Sequence, residues 1–320
     1  MSRRFGLTLM FKSFPKRRLV ILAVGAAAIG GAELTARYIG FGEPPLVILD
    51  DKIEYYLAPS RSYTRFGHDI RVNRYSMRSD DVDMAAVDRR FIFSLLGDSV
   101  VYGNRLDQAD TLPGQLQKLL TAKGRDQKPL VNSIAASGWG PENLLEFYKR
   151  FGPFPGNTAW ILQSTDDMID VTSLVNKVVP YRTASPHGAL HDLALSIWRS
   201  VTLRVLPAKA DPVKSEDKRR RADIALHALI MALKVDYARV TLVFHATKDE
   251  AISGKADGLA HYQAITKEEA INFISTMELY AHAYKSNLPP HYDDIHLNKD
   301  GTQMLSERLA EDIGPINSED

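Results

Sequence analysis

The chain of 320 residues contains no cysteine, which excludes disulfides, thiolate metal sites and cysteine nucleophiles together. Its formal net charge is only +1, and that balance is uneven along the sequence. The first 18 residues hold six basic side chains (Arg3, Arg4, Lys12, Lys16, Arg17, Arg18) and no acidic one, so the remainder is mildly acidic. An acidic body argues against a nucleic-acid partner, whose phosphates call for a basic face. No phosphate-cradling glycine loop and no metal-ligand spacing is present, so neither cofactor nor metal is expected. Long apolar runs are scarce as well. The longest uncharged apolar stretch is Leu19 to Ala32, LVILAVGAAAIGGA, fourteen residues followed by Glu33.

That stretch is short for a bilayer span, which takes about 20 residues. A basic arm, an apolar core and small residues also describe a cleaved signal peptide. A retained signal-anchor is the leading alternative, with Arg37 and Glu33 near the far interface and Tyr38 in the aromatic belt. A buried core helix fits least, because flanking positive charge is what keeps an N-terminus on the cytoplasmic side. The expected organisation is a basic arm over 1–18, a signal-anchor over 19–38 and a connector with a lead-in over 39–89. A single larger domain then occupies 90–320, interrupted at 170–235 by a helical insertion placed like a lid.

From Arg90 the pattern is regular. FIFSLLG, PLVNSIA, TAWILQS and ARVTLVFHA read as four strands buried on both faces. Between and after them stand helical stretches: DTLPGQLQKLLTAKG with Asp110 or Thr111 as cap, PENLLEFYKRFG with Pro141 near its start, KEEAINFISTMELYAHAY and KDGTQMLSERLAEDI. Alternating strand and helix predicts a parallel sheet with helices on both faces. Ahead of it, GFGEPPLVILDDKIEYYLAPSRSY reads as an irregular connector and RFGHDIRVNRYSMRSDD as a short hairpin. The insertion holds about two helices and a Pro/Lys-rich loop, with Ser215 as a candidate cap.

In an open α/β sheet, ligands gather at the carboxyl ends of the strands. Three segments meet there: Gly97-Asp98-Ser99, Ser137-Gly138-Trp139-Gly140 and Ser164-Thr165-Asp166-Asp167. Ser99 opens a helical turn, and Gly138 can bring its N–H close to a ligand. A serine hydroxyl needs a base before it attacks. His296 in YDDIHLNKDG is the candidate base and Asp293, three residues earlier, its orienter, with Asp294 as fallback. His245 is expected to be a satisfied structural histidine, and His291 and His68 have no partner pattern.

This combination resembles the SGNH, or GDSL-type, hydrolases, and more narrowly their bacterial membrane-anchored members. The resemblance spans about Arg71 to Ile313, and IRVNRYSMR resembles the I-x-x-N-x-x-x-x-R lead-in of the anchored members. It implies a flavodoxin-like three-layer α/β/α sandwich around a central parallel sheet, and hydrolysis of acyl esters. It implies Ser99 as nucleophile, His296 as base, Asp293 as orienter, and an oxyanion hole from Ser99, Gly138 and the residue at position 166. The family places asparagine there; this chain has Asp166. An ionised carboxylate accepts hydrogen bonds and donates none. Losing one such donor costs about 2.7–4 kcal/mol of barrier. Three ways around this stand open: a protonated Asp166, a donor such as Thr165 or Gln163, or a protein that is slow or non-catalytic. A glycan O-acetyltransferase and a non-catalytic binding or scaffold protein are therefore the alternatives to an esterase acting on an envelope glycan, lipid or small ester.

Overall fold

The computed structural model describes residues 16–81, 83–122, 128–172, 182–205 and 214–313. The basic arm before Lys16, the expected helix stop at Gly124 and the Pro/Lys-rich loop over 206–213 fall outside the described residues, as does 173–181 of the expected insertion.

A helix α1 (Lys16–Ile39) opens the chain. It extends past the fourteen-residue apolar stretch, because Glu33 and Arg37 form an i,i+4 pair on it with a 2.8 Å contact. At 1.5 Å per residue its 24 residues reach about 36 Å, enough for a hydrocarbon core of about 30 Å. Its most apolar 18-residue window has a mean hydropathy of 1.9 and is 6% buried. By length and composition the helix can cross a membrane or serve as a signal sequence.

Two hairpins follow. β1 (Val47–Asp50) pairs antiparallel with β2 (Glu54–Leu57), and β3 (Arg61–Arg65) with β4 (His68–Val72). Of the second, β4 lies in the segment expected to form a hairpin, whereas most of β3 lies in the stretch before it that was expected to be irregular. The first lies in the segment expected to be irregular. Every residue of β2 is buried, so its sequence carries no inside–outside alternation to read. Asp50 closes the turn by accepting from the Lys52 and Ile53 amides at 3.0 and 2.9 Å.

The main sheet contains β5 (Ile92–Gly97), β6 (Leu130–Ala135), β7 (Gly156–Gln163), β8 (Tyr237–Phe244) and β9 (Asn272–Ser275), all parallel, in the spatial order β6-β5-β7-β8-β9. That order, second-first-third-fourth-fifth, is the flavodoxin-like doubly wound arrangement. The crossovers use α3 (Leu112–Ala122), α4 (Pro141–Phe151), α6 (Ser215–Asp236) and α8 (Asp257–Glu268). After β5 comes the single turn α2 (Ser99–Tyr102); α5 (Ala189–Val205) precedes α6; α7 (Lys248–Ser253) follows β8; and α9 (Met277–Lys285) and α10 (Lys299–Asp312) end the chain. Right-handed crossovers put α3 on one face and α4 and α6 on the other, and α3 packs on α10 while α4 packs on α6. The result is a three-layer α/β/α sandwich, as expected.

Local chemistry agrees with most boundaries. Thr111 accepts from the Gly114 amide at 3.2 Å and so caps α3, and Pro141 opens α4. Ser215 does not cap α6; it is the first helical residue, with Lys214 at the cap position and no side-chain cap bond. KEEAINFISTMELYAHAY is not one helix. The chain breaks at Ala270 (φ 51°), forms β9 and restarts at α9. A four-residue strand with mixed burial is too short to show a period of two against flanking helices. Within the 170–235 segment, α6 is the ordinary crossover to β8, with Leu226, Leu229, Ile230 and Leu233 in the core.

Candidate active site

β5 and β7 are neighbours whose helical connections diverge to opposite sides, so the carboxyl ends of these strands border the crevice of the sheet. Ser99 stands at that point. Gly97 has no room for a side chain, since a Cβ there would lie 2.7 Å from Val101. Asp98 caps α2 by accepting from the Val100 amide at 2.8 Å, and Gly103 leaves the turn in the left-handed region at φ 75°. The turn is held from below by Arg78, the arginine of the lead-in. Its buried guanidinium donates to the carbonyls of Tyr102, Gly103, Leu106 and Asp69 at 2.9, 2.6, 2.6 and 3.1 Å, and to Gln108 at 3.2 Å. Asn73 of the same segment accepts from the Tyr75 and Met77 amides at 2.9 and 3.0 Å, folding the loop that delivers Arg78. The lead-in is therefore a clamp on the serine turn.

The structure brings Ser99, His296 and Asp293 together. Ser99 Oγ lies 2.8 Å from His296 Nε2, and His296 Nδ1 lies 2.9 and 3.0 Å from the Asp293 carboxylate oxygens. A carboxylate only accepts, so Nδ1 carries the proton and Nε2 presents a lone pair to the Ser99 hydroxyl. Burial pushes Asp293 up, but hydrogen bonds from the His296 amide and imidazole and from the Ile295 amide outweigh it and hold the carboxyl below its ordinary range. The fallback, Asp294, gives its carbonyl to the Lys248 amide at 2.8 Å.

Several neighbours were not legible in advance. Tyr292 stacks on His296 (5.5 Å between centroids, 8° between planes), and Arg105 lies over the other ring at 5.2 Å from the Tyr292 centroid. His245 is buried; its Nε2 donates to the Ile295 carbonyl at 2.8 Å and its Nδ1 accepts from Tyr280 at 3.1 Å. It is the satisfied structural histidine expected, and it fixes the loop that carries His296. Burial, then the nearby His291, lowers it to about 3, so it stays neutral. His291 is likewise buried and lowered to about 4, and Tyr284 donates to it at 2.8 Å. His68 faces Asp107 at 3.6 Å beside the cavity described below.

The second segment forms a turn whose Ser137 and Gly138 are exposed, with Gly138 at φ 72° and open space where a Cβ would stand. Tyr55 donates to the Ser137 carbonyl, Trp139 donates to the Tyr55 carbonyl at 3.0 Å, and Asn104 donates to Ser137 Oγ at 3.0 Å. The hairpin β1–β2 thus braces this turn.

The third segment narrows the question raised by Asp166. Thr165 donates to Glu250 and accepts from the Gly258 amide at 3.2 Å, and buried Gln163 donates to the Leu162 carbonyl at 2.6 Å. The Thr165 hydroxyl proton is thereby committed to Glu250, whereas the Gln163 amide keeps a second N–H. Asp166 itself is exposed, and among the described residues nothing hydrogen-bonds its carboxylate. Behind it lie three further carboxyls. Burial raises Asp98; burial and then Asp98 raise Asp167 well above the carboxylate range; and the same two causes push Asp170 up to about 6. Asp98 also approaches Ser99 Oγ at 3.3 Å.

A cavity of about 600 Å³ opens beside the His296–Asp293 pair, lined also by Arg65, Phe66, Tyr102, Asn104 and Tyr292. No group of three or more His, Asp or Glu residues suited to a metal exists among the described residues.

No family model matches the sequence, and no curated protein matches it. Among solved structures the chain is similar to the acetylxylan esterase Axe2 of Geobacillus stearothermophilus, at 15% identity over 70% of this chain and 94% of the other, with a TM-score of 0.46. It is also similar to a member of the lipolytic protein G-D-S-L family from Veillonella parvula (11% identity, 69% and 96% covered, TM-score 0.41) and to a lipase/acylhydrolase from Enterococcus faecalis (11% identity, 70% and 95%, TM-score 0.44).

Proposed function

We propose that this protein is a serine esterase or deacylase of the SGNH type that removes an O-acyl group from an envelope glycan, lipid or small ester. The observation that carries the reading is the hydrogen-bonded chain Ser99 Oγ–His296 Nε2, His296 Nδ1–Asp293, in the one tautomer that can accept the serine proton. In this reading His296 takes the Ser99 proton as the oxygen attacks the acyl carbon, and returns it to the departing alcohol. Water then attacks the acyl-enzyme with His296 again as base. Asp293 stabilises the imidazolium and holds its ring. The Ser99 and Gly138 amides receive the developing oxyanion, and position 166 supplies no donor while Asp166 is ionised.

The proposed topology is a single-pass anchor, α1, in a bacterial inner membrane, with the basic arm cytoplasmic and the body in the periplasm or cell exterior. What supports an anchor over a cleaved leader is that α1 runs unbroken into contacts with the body, with Glu33 accepting from the Ala189 and Leu190 amides at 2.9 Å each. The substrate is the only partner called for, with no cofactor or metal in the chemistry. Hydrolysis of p-nitrophenyl acetate by the full chain, against Ser99→Ala and His296→Ala, tests the reading. Equal turnover by all three proteins would remove the proposed mechanism. The exposed, donor-poor Asp166 favours a second reading, a binding protein on the same fold, and that reading predicts no turnover above background by any of them.

A further inference from the structure

Helix α5 turns three large apolar side chains outward while burying an aspartate and a threonine. Its Asp192 and Thr202 are buried and Ser196 half-buried, whereas Ile197, Trp198 and Val201 are 55%, 50% and 52% exposed. Ile197 and Val201, four apart, lie on one stripe with Trp198 beside them. On the inward side Asp192 pairs with Arg65 and with Arg182 at 3.0 Å, and accepts from the Gly42 amide at 2.9 Å. His191, Arg199 and Ser200 of α5 are exposed as well, and three large apolar side chains among them, one a tryptophan, suit a surface shared between water and lipid.

The surroundings identify what it faces. Glu33 of α1 accepts from the first two amides of α5, so α5 starts beside a point six residues, about 9 Å, before the end of α1. That is interfacial depth if α1 spans, and it sets the start of α5 beside the exposed Leu34 that follows Glu33 on α1. The same junction bounds the cavity beside His296. Arg65 and Phe66 line that cavity, while the Phe66 ring meets Phe41 edge-on at 5.1 Å and Arg65 lies over both rings at 4.4 and 5.0 Å. Phe41 is two residues past the end of α1.

We infer that α5 seats its Ile197–Trp198–Val201 face in the bilayer interface beside α1, so that the cavity at His296 opens next to the membrane and takes an ester borne by a molecule held in the bilayer. The substrate half of this statement rests on the esterase reading; the seat of α5 does not.

Trp198 supplies the probe, since the other two tryptophans, Trp139 and Trp160, are 1% and 0% exposed. The full chain is reconstituted in phosphatidylcholine vesicles with or without brominated acyl chains. The inference expects bromine to quench an emission component that Trp198→Phe lacks, with aqueous iodide leaving that component intact. Quenching by iodide and not by bromine would place α5 in water. Protection from both would put a protein on that face, and either result overturns the inference. In the same vesicles, cleavage of dioleoyl-acetylglycerol is compared with that of soluble p-nitrophenyl acetate. The double variant Ile197→Glu, Val201→Glu should keep wild-type turnover of the soluble ester and lose about tenfold on the membrane-held one. Equal rates of wild type and variant on both esters, or Ser99-dependent cleavage of the soluble ester alone, overturn the membrane-borne substrate and leave the esterase reading standing. Cleavage of neither ester defeats the esterase reading and the substrate claim with it, while the quenching result still decides the seat of α5.

Discussion

Replacing Asp293 by asparagine exchanges one carboxylate oxygen for an amide NH2 of nearly the same size and leaves the backbone as it is, and the geometry of the loop dictates how the amide will turn. Oδ1 of Asp293 accepts from the Ile295 and His296 amides at 3.1 and 2.8 Å, a position that only an oxygen can fill. The asparagine oxygen therefore stays there and its NH2 takes the place of Oδ2, 2.9 Å from His296 Nδ1. An N–H aimed at Nδ1 forces the imidazole proton onto Nε2, and a protonated Nε2 cannot accept from Ser99. The expected loss in kcat is about 10⁴, or about 5.4 kcal/mol of barrier, the size that a wrong-tautomer histidine costs in serine hydrolases generally. Asp293→Ala imposes no tautomer. It gives up the imidazolium's partner, but Asp293 is 43% exposed and water replaces part of that field, so the expected loss is smaller, about 10²–10³. The assay is kcat for p-nitrophenyl acetate near neutral pH with all three proteins. Asparagine performing as well as alanine, or better, would refute the tautomer argument.

Three further outcomes follow from named contacts. Arg78→Met strands the carbonyls of Tyr102, Gly103 and Leu106 in a buried site and should cost about 3–5 kcal/mol in urea unfolding; a cost under about 1 kcal/mol would mean that the clamp is not structural. His245 binds a proton near 6.5 when unfolded but only near 3 when folded, so unfolding takes up a proton below pH 6.5 and stability falls with pH. Between pH 7 and 5 the wild type should accordingly lose about 2 kcal/mol more than His245→Gln, whereas parallel curves would show that His245 is not held neutral. Asp166→Asn should raise kcat about 10- to 100-fold, less than a fully enclosed donor gives because the position is exposed, and a flat or lower rate would remove position 166 from the oxyanion argument.

The parts of the fold that the sequence declared are those where one physical signal dominated. β5, β6 and β7 are short, mainly apolar runs bounded by turn residues, and α4 begins at a proline with an apolar stripe behind it. β2 hid because both faces are buried, and β9 because four residues between helices carry no period. In the site, Ser99 and the Asp293/His296 pair were readable because their spacing is chemical. Tyr292 and Arg105 were not, since a stack depends on rings meeting across loops rather than on residue order. The lead-in was readable as a pattern but not as a clamp: the reason for an arginine at 78 is four carbonyls that only the folded turn assembles. Asp166 stood out as a departure from the pattern the sequence resembles, and the structure takes the Thr165 hydroxyl out of the candidate donors by committing it to Glu250.

The central claim is that Ser99 is a nucleophile activated by His296. Treating the full chain in detergent with a fluorophosphonate and reading intact mass and peptide position tests it directly. The account predicts one adduct, on Ser99, absent from Ser99→Ala and formed about 10³-fold more slowly by His296→Ala. A wild-type protein that stays unlabelled, or that carries its adduct on another residue, contradicts it.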